Sequence, residues 1–401
     1  MKPTLRSESA PPLRMTPSSL PPIIASLIGL IGLMGFSLTS IEAESATATH
    51  TKVYFEKGRY GGWPANHGVW SWGNEILVGF TSGVYQDRGP YHHINTEKPV
   101  RHLQARSLDG GLTWSVEDPN AKGQLLPEGD SLHGTEIPDV PLKPWRPSPE
   151  NIRFEHPDFA MTLRLNNIHT GPSRFYLSYN RGKDWDGPFG IPPLNQLKIA
   201  ARTDYLVESN HECLVFLTAA KSNGSEGRPF MARISEPAAT WEFVSWLGPE
   251  SDGFEIMPST VRIGPTELYT VVRSRQGEQR SLNAYRSTDN GITWQAGPAP
   301  CSDLGAGNPP SLVKLPDGRL CVTYGVRAEP YRICARLSRN HGSTWSDEII
   351  LRADGSSADV GYPRSVVRSD GQVVTVYYFS DATTGPERYI GSTLWTPPLL
   401  Q

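Results

Sequence analysis

Cysteine is scarce in this chain: Cys213, Cys301, Cys321 and Cys334 are the only four in 401 residues. So few and so scattered, they exclude a disulfide framework and a cysteine-based zinc site. Cys321 and Cys334 lie symmetrically about the turn near Arg327, which leaves two readings: a bridge across a hairpin, or two small core residues. Excess charge is missing too. The formal net charge is -3 and there is no run of Lys and Arg, so the chain gives no electrostatic case for a nucleic-acid partner. Any acidic ligand must be held by a local cluster. A long membrane-spanning run is also lacking: the apolar stretch Ile23–Leu38 has 16 residues, short for a span, which leaves an uncleaved anchor as the second reading of this segment. It follows Lys2, Arg6 and Arg14 and precedes Ile41-Glu42-Ala43, the order of a cleaved secretory signal over residues 1–43. The remainder, 44–401, is expected to be secreted or periplasmic, a monomer, and without stable membrane insertion.

What the chain has in plenty is turn residues and large aromatics, with 38 Gly, 36 Pro, 11 Trp and 15 Tyr. That composition suits short strands separated by many turns. One turn recurs. Ser107-x-Asp109-x-Gly111-x-Thr113-Trp114 is repeated residue for residue at Ser287-x-Asp289-x-Gly291-x-Thr293-Trp294. Asn replaces Asp in Ser338-x-Asn340-x-Gly342-x-Thr344-Trp345 and in the weaker Ser178-x-Asn180-x-Gly182-x-Asp184-Trp185. In such a turn the Asp or Asn oxygen accepts backbone N–H groups, the Gly supplies a positive φ, and the Trp is an anchor.

Positions 109, 180, 289 and 340 are separated by 71, 109 and 51 residues, and the middle gap is close to two of the last interval. One copy has therefore degenerated, near residues 235–241, where Ala239-Thr240-Trp241 keeps the end of the pattern. A period of about 50 residues with four short strands per unit predicts an all-β, six-bladed propeller with Asp-box turns. The units run from about Val53 to Asp118, Phe154 to Pro192, Ile199 to Glu250, Phe254 to Pro298, Asn308 to Ala353, and Val360 onward. Pro119–Pro149 reads as a surface insertion. In a four-strand meander the Asp-box turns fall on one face, where they are structural. Chemistry is expected on the other, at the starts of first strands and the ends of second strands.

With these repeats on the page, the chain resembles the sialidase (neuraminidase) superfamily of Asp-box (BNR) repeat propellers over nearly everything from Val53 onward. The resemblance implies a Tyr nucleophile in a Gly-Tyr pair eight residues ahead of the Asp-Gly turn of the sixth blade; Gly361-Tyr362 stands in that relation to Asp370-Gly371. It implies carboxylate-binding arginines at the second-strand ends of blades four and five, matched by Arg273 and Arg327. Asp87 fits the acid/base Asp that follows strand two of blade one. Two positions depart from the pattern. Gly62 stands where the family has its first Arg, and Met257 where it has the Glu that polarises the Tyr. Neighbours offered as substitutes are Glu255, two residues back, and Arg59 and Arg364, which flank two strand starts.

The chemistry implied is definite. A sialic acid carries a carboxylate on its anomeric carbon, so Arg forks must neutralise it, and a neutral Tyr is a better nucleophile there than a carboxylate. The expected activity is an exo-acting, sialidase-type glycoside hydrolase removing a terminal sialic acid or related acidic sugar from a glycan, with no metal and no cofactor. Two alternatives stay open. One is a propeller lyase or hydrolase acting on uronic acids, for which His67 and the pair His92-His93 supply candidate bases. The other is a carbohydrate-binding propeller without catalysis.

Overall fold

The computed structural model describes residues 48–89, 92–128, 140–169 and 171–400. The proposed signal at 1–43 lies outside the described residues, as does 129–139 of the insertion. Strands dominate because β-branched and aromatic residues alternate between turns, and they assemble into six antiparallel sheets. Blade one sets Arg59–Gly62 and Val69–Trp72 against Glu75–Val84, followed by Arg101–Ser107 and Ser115–Glu117. Blade two has Ala160–Leu165, Ser173–Ser178 and Asp186–Gly190. Blade three sets Ile199–Ala200 and Tyr205–Ser209 against Glu212–Ala220, then Glu226–Ser235 and Thr240–Trp246. Blade four runs through Phe254–Arg262, Leu268–Gln276, Gln279–Ser287 and Gln295–Cys301. Blade five runs through Ser311–Lys314, Leu320–Val326, Arg332–Ser338 and Ile349–Arg352.

Blade six corrects the expected first unit. Its strands Gly361–Val367, Val373–Phe379 and Tyr389–Trp395 are completed by Ala48–Tyr54, which pairs antiparallel with Tyr389–Trp395. The first described strand thus closes the ring. Pairing there satisfies the backbone groups that an open sheet edge would expose, and no local pattern in the sequence says which strand will do it.

The Asp boxes form the hairpins expected. Asp109 Oδ1 accepts from Thr113 N at 2.9 Å and Leu112 N at 3.1 Å, while Ser107 Oγ accepts from Gly111 N at 2.8 Å. The hydrogen bond from the Thr113 hydroxyl leads the interactions that pull the Asp109 carboxyl down to about 2. Asp289, Asn180 and Asn340 repeat the acceptance from the residue four positions on. Each box glycine also touches the preceding blade. A Cβ on Gly342, where φ is 81°, would lie 2.2 Å from the ring of Tyr269, and one on Gly291 would lie 2.3 Å from Met231. The boxes therefore join blades as well as strands. The degenerate copy falls where expected, between Glu226–Ser235 and Thr240–Trp246.

All four cysteines are free and buried. Cys321 pairs with Leu337 and Cys334 with Tyr324, so their side chains point to opposite faces of blade five and pack in different core clusters. The core reading holds and the bridge does not.

Candidate active site

Three first strands are broken at the same kind of step. Trp63, Met257 and Tyr362 each precede a proline and have φ of 60°, 56° and 49°. Proline cannot donate to the ladder, so pairing slips there: the register shifts between Ile256 and Ser259 and between Gly361 and Arg364, and in blade one the helical turn Pro64–His67 intervenes. Such a bulge re-aims side chains. It turns Trp63 and Tyr362 into one cleft of about 470 Å³, lined also by His67, His92, Arg164, Arg202, Glu226, Ile256 and Arg273.

Tyr362 is held by a clamp absent from the sequence reading. Its backbone N–H donates to Asn308 Oδ1 at 2.7 Å, and Asn308 Nδ2 donates to Val360 O at 2.8 Å. Asn308 is fully buried, and a Cβ on Gly361 would lie 2.2 Å from its amide nitrogen. The glycine of the Gly-Tyr pair is thus required by close approach as well as by its φ of 110°.

Two of the expected arginines meet this tyrosine. Arg273 Nη1 donates to the Tyr362 phenol oxygen at 3.2 Å, so the phenol proton must point elsewhere. No carboxylate lies within ion-pairing distance of Arg273 among the described residues, its Nε lacks a partner, and burial lowers its pKa. The Arg327 guanidinium stands 5.4 Å from the centre of the Tyr362 ring, but it is already engaged. It donates from Nε to Val360 O at 2.9 Å and from Nη2 to Tyr378 Oη, and it stands 3.9 Å from Asp359. It lines a neighbouring cavity of about 680 Å³, which also shares Trp63 and His92.

The other expected residues are not brought to the tyrosine. The Asp87 side chain is 76% exposed in a loop, accepts from Gly89 N and stands 3.4 Å from His93 Nδ1, and it lines neither cavity. Glu255 is buried on the opposite face of its strand, where its oxygens accept from Asn283 Nδ2 and Tyr285 Oη, each at 2.7 Å. The bulge at Met257 is the reason, because it breaks the two-residue alternation that would have put Glu255 on the same face. Arg59 donates to Ser82 Oγ. Arg364 donates to the carbonyls of Ala65 and Thr203, both at 2.8 Å, and lines a separate cavity of about 270 Å³ with Asp204.

Other groups line the cleft, and sequence reasoning missed all of them but His67 and His92. Arg202 and Glu226 form a buried ion pair in the cleft wall, and Arg164 stands there without one. His92, singled out in the sequence as a candidate base, has Nδ1 2.6 Å from Asp359 Oδ1, and its ring centre lies 6.0 Å from that of Tyr362. Burial pushes the Asp359 carboxyl up, but His92, Arg327 and Arg388 outweigh it and hold it well below the usual range. Burial also lowers His92, against the field of Asp359. With Nδ1–H donated to Asp359, Nε2 is left able to accept a proton. A signal for the dyad existed, since Asp359 stands two residues before Gly361-Tyr362. No cluster of three metal-ligating side chains occurs among the described residues.

Comparison with known proteins agrees with the architecture. The sequence model of the BNR repeat-like domain matches residues 166–375. No curated protein matches the chain. Among solved structures, a protein of unknown function from Dyadobacter fermentans superposes with a TM-score of 0.65 at 18% identity, covering 87% of this chain and 98% of that one. The NanB sialidase of Streptococcus pneumoniae superposes at 0.53 with 10% identity, over 86% of this chain and 68% of that one. An alpha-L-arabinanase of Penicillium chrysogenum gives 0.51 and 14%, over 86% and 97%. At these identities the likeness is one of fold.

Proposed function

The chain belongs to the BNR repeat-like domain family, and from that premise we propose that it is a glycoside hydrolase acting on a glycan with a carboxylate-bearing sugar. The observation that carries this reading is Arg273, a half-buried guanidinium without a carboxylate partner among the described residues, bonded to the hydroxyl of Tyr362 in a cleft of sugar-binding size. A substrate carboxylate compensates that charge. Arg202 adds positive field near the tyrosine while remaining tied to Glu226. Tyr362 then attacks the anomeric carbon as the glycosidic C–O bond breaks, with Arg273 stabilising charge on the phenol oxygen; His92, oriented by Asp359, takes the phenol proton and passes it to the departing oxygen, and water then cleaves the glycosyl–Tyr362 bond. The substrate class of the sialidase among the solved structures fits this clamp; that of the arabinanase shares the bond type.

A second reading has its own support. The cleft offers a hydroxyl, a neutral imidazole and uncompensated cations, whereas its carboxyl group, Glu226, is committed to Arg202. Those are the parts needed for β-elimination beside a uronate carboxylate. One assay separates the two: the protein is incubated with an aryl sialoside, an aryl uronide and a uronate polymer. Release of aryl alcohol supports hydrolysis, and an ultraviolet-absorbing unsaturated sugar supports elimination. Turnover of none, with acidic glycans still bound, sinks both.

A further inference from the structure

The buried arginines of the described residues differ in one respect. Arg106, Arg174, Arg202 and Arg388 each have a carboxylate close by, from Glu75 and Glu117, Glu128, Glu226 and Asp359. Arg364 has the field of Asp204. Arg164 has no such partner. It is 5% exposed, its Nη1 reaches the carbonyl oxygens of His67 at 3.2 Å and Leu163 at 3.5 Å, and its Nε has no hydrogen-bond partner. Burial, with a smaller push from Arg174, lowers its pKa to about 9. A desolvated guanidinium left this way is costly unless an anion joins it.

Arg164 lines the same cleft as Arg273 and Tyr362 but reaches it from another blade, from strand Ala160–Leu165 of blade two rather than Leu268–Gln276 of blade four. Blade three lies between them in the chain, and its Arg202 is neutralised by Glu226. Beside Arg164 stands His67, also in the cleft wall and 2% exposed, with Nδ1 unpartnered. Burial depresses this imidazole well below its ordinary value, so it adds a polar edge without a second charge.

We propose that Arg164 forms a second anion subsite, so that the substrate carries a further oxyanion, a carboxylate or a sulfate ester, besides the carboxylate held at Arg273. This inference rests on the reading of the cleft as a site for an acidic sugar. It makes the substrate a multiply charged acidic glycan rather than a neutral chain with one acidic end. An Arg fork suits either oxyanion.

The test is calorimetric titration of the full chain carrying Tyr362→Phe, which keeps the probes from being consumed. Three probes are compared: glucuronic acid, a disaccharide of two uronic acids, and a sulfate ester of glucuronic acid. At least one doubly charged probe should bind about tenfold tighter than the monouronate, the size expected of one charge-assisted contact. A gap confined to the disaccharide identifies a carboxylate, and one confined to the ester a sulfate. Adding Arg164→Gln should close the gap, and Arg164→Lys should restore part of it, which guards against a Gln variant that folds poorly. Equal affinity for all three probes, or a gap that survives Arg164→Gln, overturns the subsite. The clamp is read separately: Arg273→Gln should abolish binding of the monouronate, and failure of every probe to bind overturns both.

Discussion

Arg273 Nη1 donates to the phenol oxygen of Tyr362 at 3.2 Å, joining blades four and six across 89 residues of sequence. The contact fixes the polarity of the site. The phenol oxygen accepts from a guanidinium that has no carboxylate partner among the described residues, and its proton is left for a base such as His92.

Tyr362→Phe should therefore keep its fold and lose its chemistry. The ring packing against Tyr378 and His92 is retained, and one hydrogen bond is lost, so thermal unfolding should move by a few degrees at most. Turnover should fall by roughly 10³-fold or more, the scale seen when a nucleophile is removed. Near-normal kcat on the best substrate would remove Tyr362 from the reaction.

Asn308→Ala tests the clamp. It leaves the Tyr362 N–H unpaired in a dry site, which costs about 1–3 kcal/mol, and removes one of the two donors to the Val360 carbonyl, which keeps Arg327 Nε. It should also free the tyrosine to leave its positive φ. Urea unfolding should show the destabilisation, and kcat should drop even where the variant is fully folded. Asn308→Asp keeps the acceptor for Tyr362 N and should retain more activity than Ala.

Gly342→Ala probes the junction between blades five and four. A methyl group would meet the Tyr269 ring at 2.2 Å and force a left-handed backbone on a residue that resists it. Overpacking of this kind costs about 1–3 kcal/mol, and the backbone strain adds to it. An unchanged melting temperature would mean that the box hairpin is not packed on Tyr269.

Asp204 makes stability depend on pH in a defined direction. Burial raises its carboxyl to about 7, against a smaller opposing pull from Arg364, whereas an unfolded Asp titrates at about 3.9. Between those values the folded chain binds a proton that the unfolded chain has lost, so this residue's contribution to stability falls as pH rises through that window. Asp204→Asn should flatten that fall and be more stable relative to the parent at pH 8 than at pH 4. A ΔΔG that does not change across the window would show that Asp204 is ionised throughout.

The Asp boxes and the few dipeptides around them determined the all-β class, the number of blades and the place of the degenerate copy. These are local properties: a Ser-x-Asp-x-Gly turn folds on itself, and a meander of short strands fixes which turns share a side. Tyr362 and Arg273 were legible because they stand at the start and end of strands whose parity could be counted. Glu255 misled for the same reason, since counting assumes an unbroken pleat and the step at Met257-Pro258 breaks it. Asp87 misled because a loop's direction is not coded in its spacing from a strand. The tertiary structure alone decided the rest. Ala48–Tyr54 closes blade six because a ring has to seal its own edge, and Asn308, Asp359, Arg202 and Arg164 acquire meaning only from what surrounds them. Whether a buried charge has a partner depends on which distant strands fold against it, and no pattern along the chain records that.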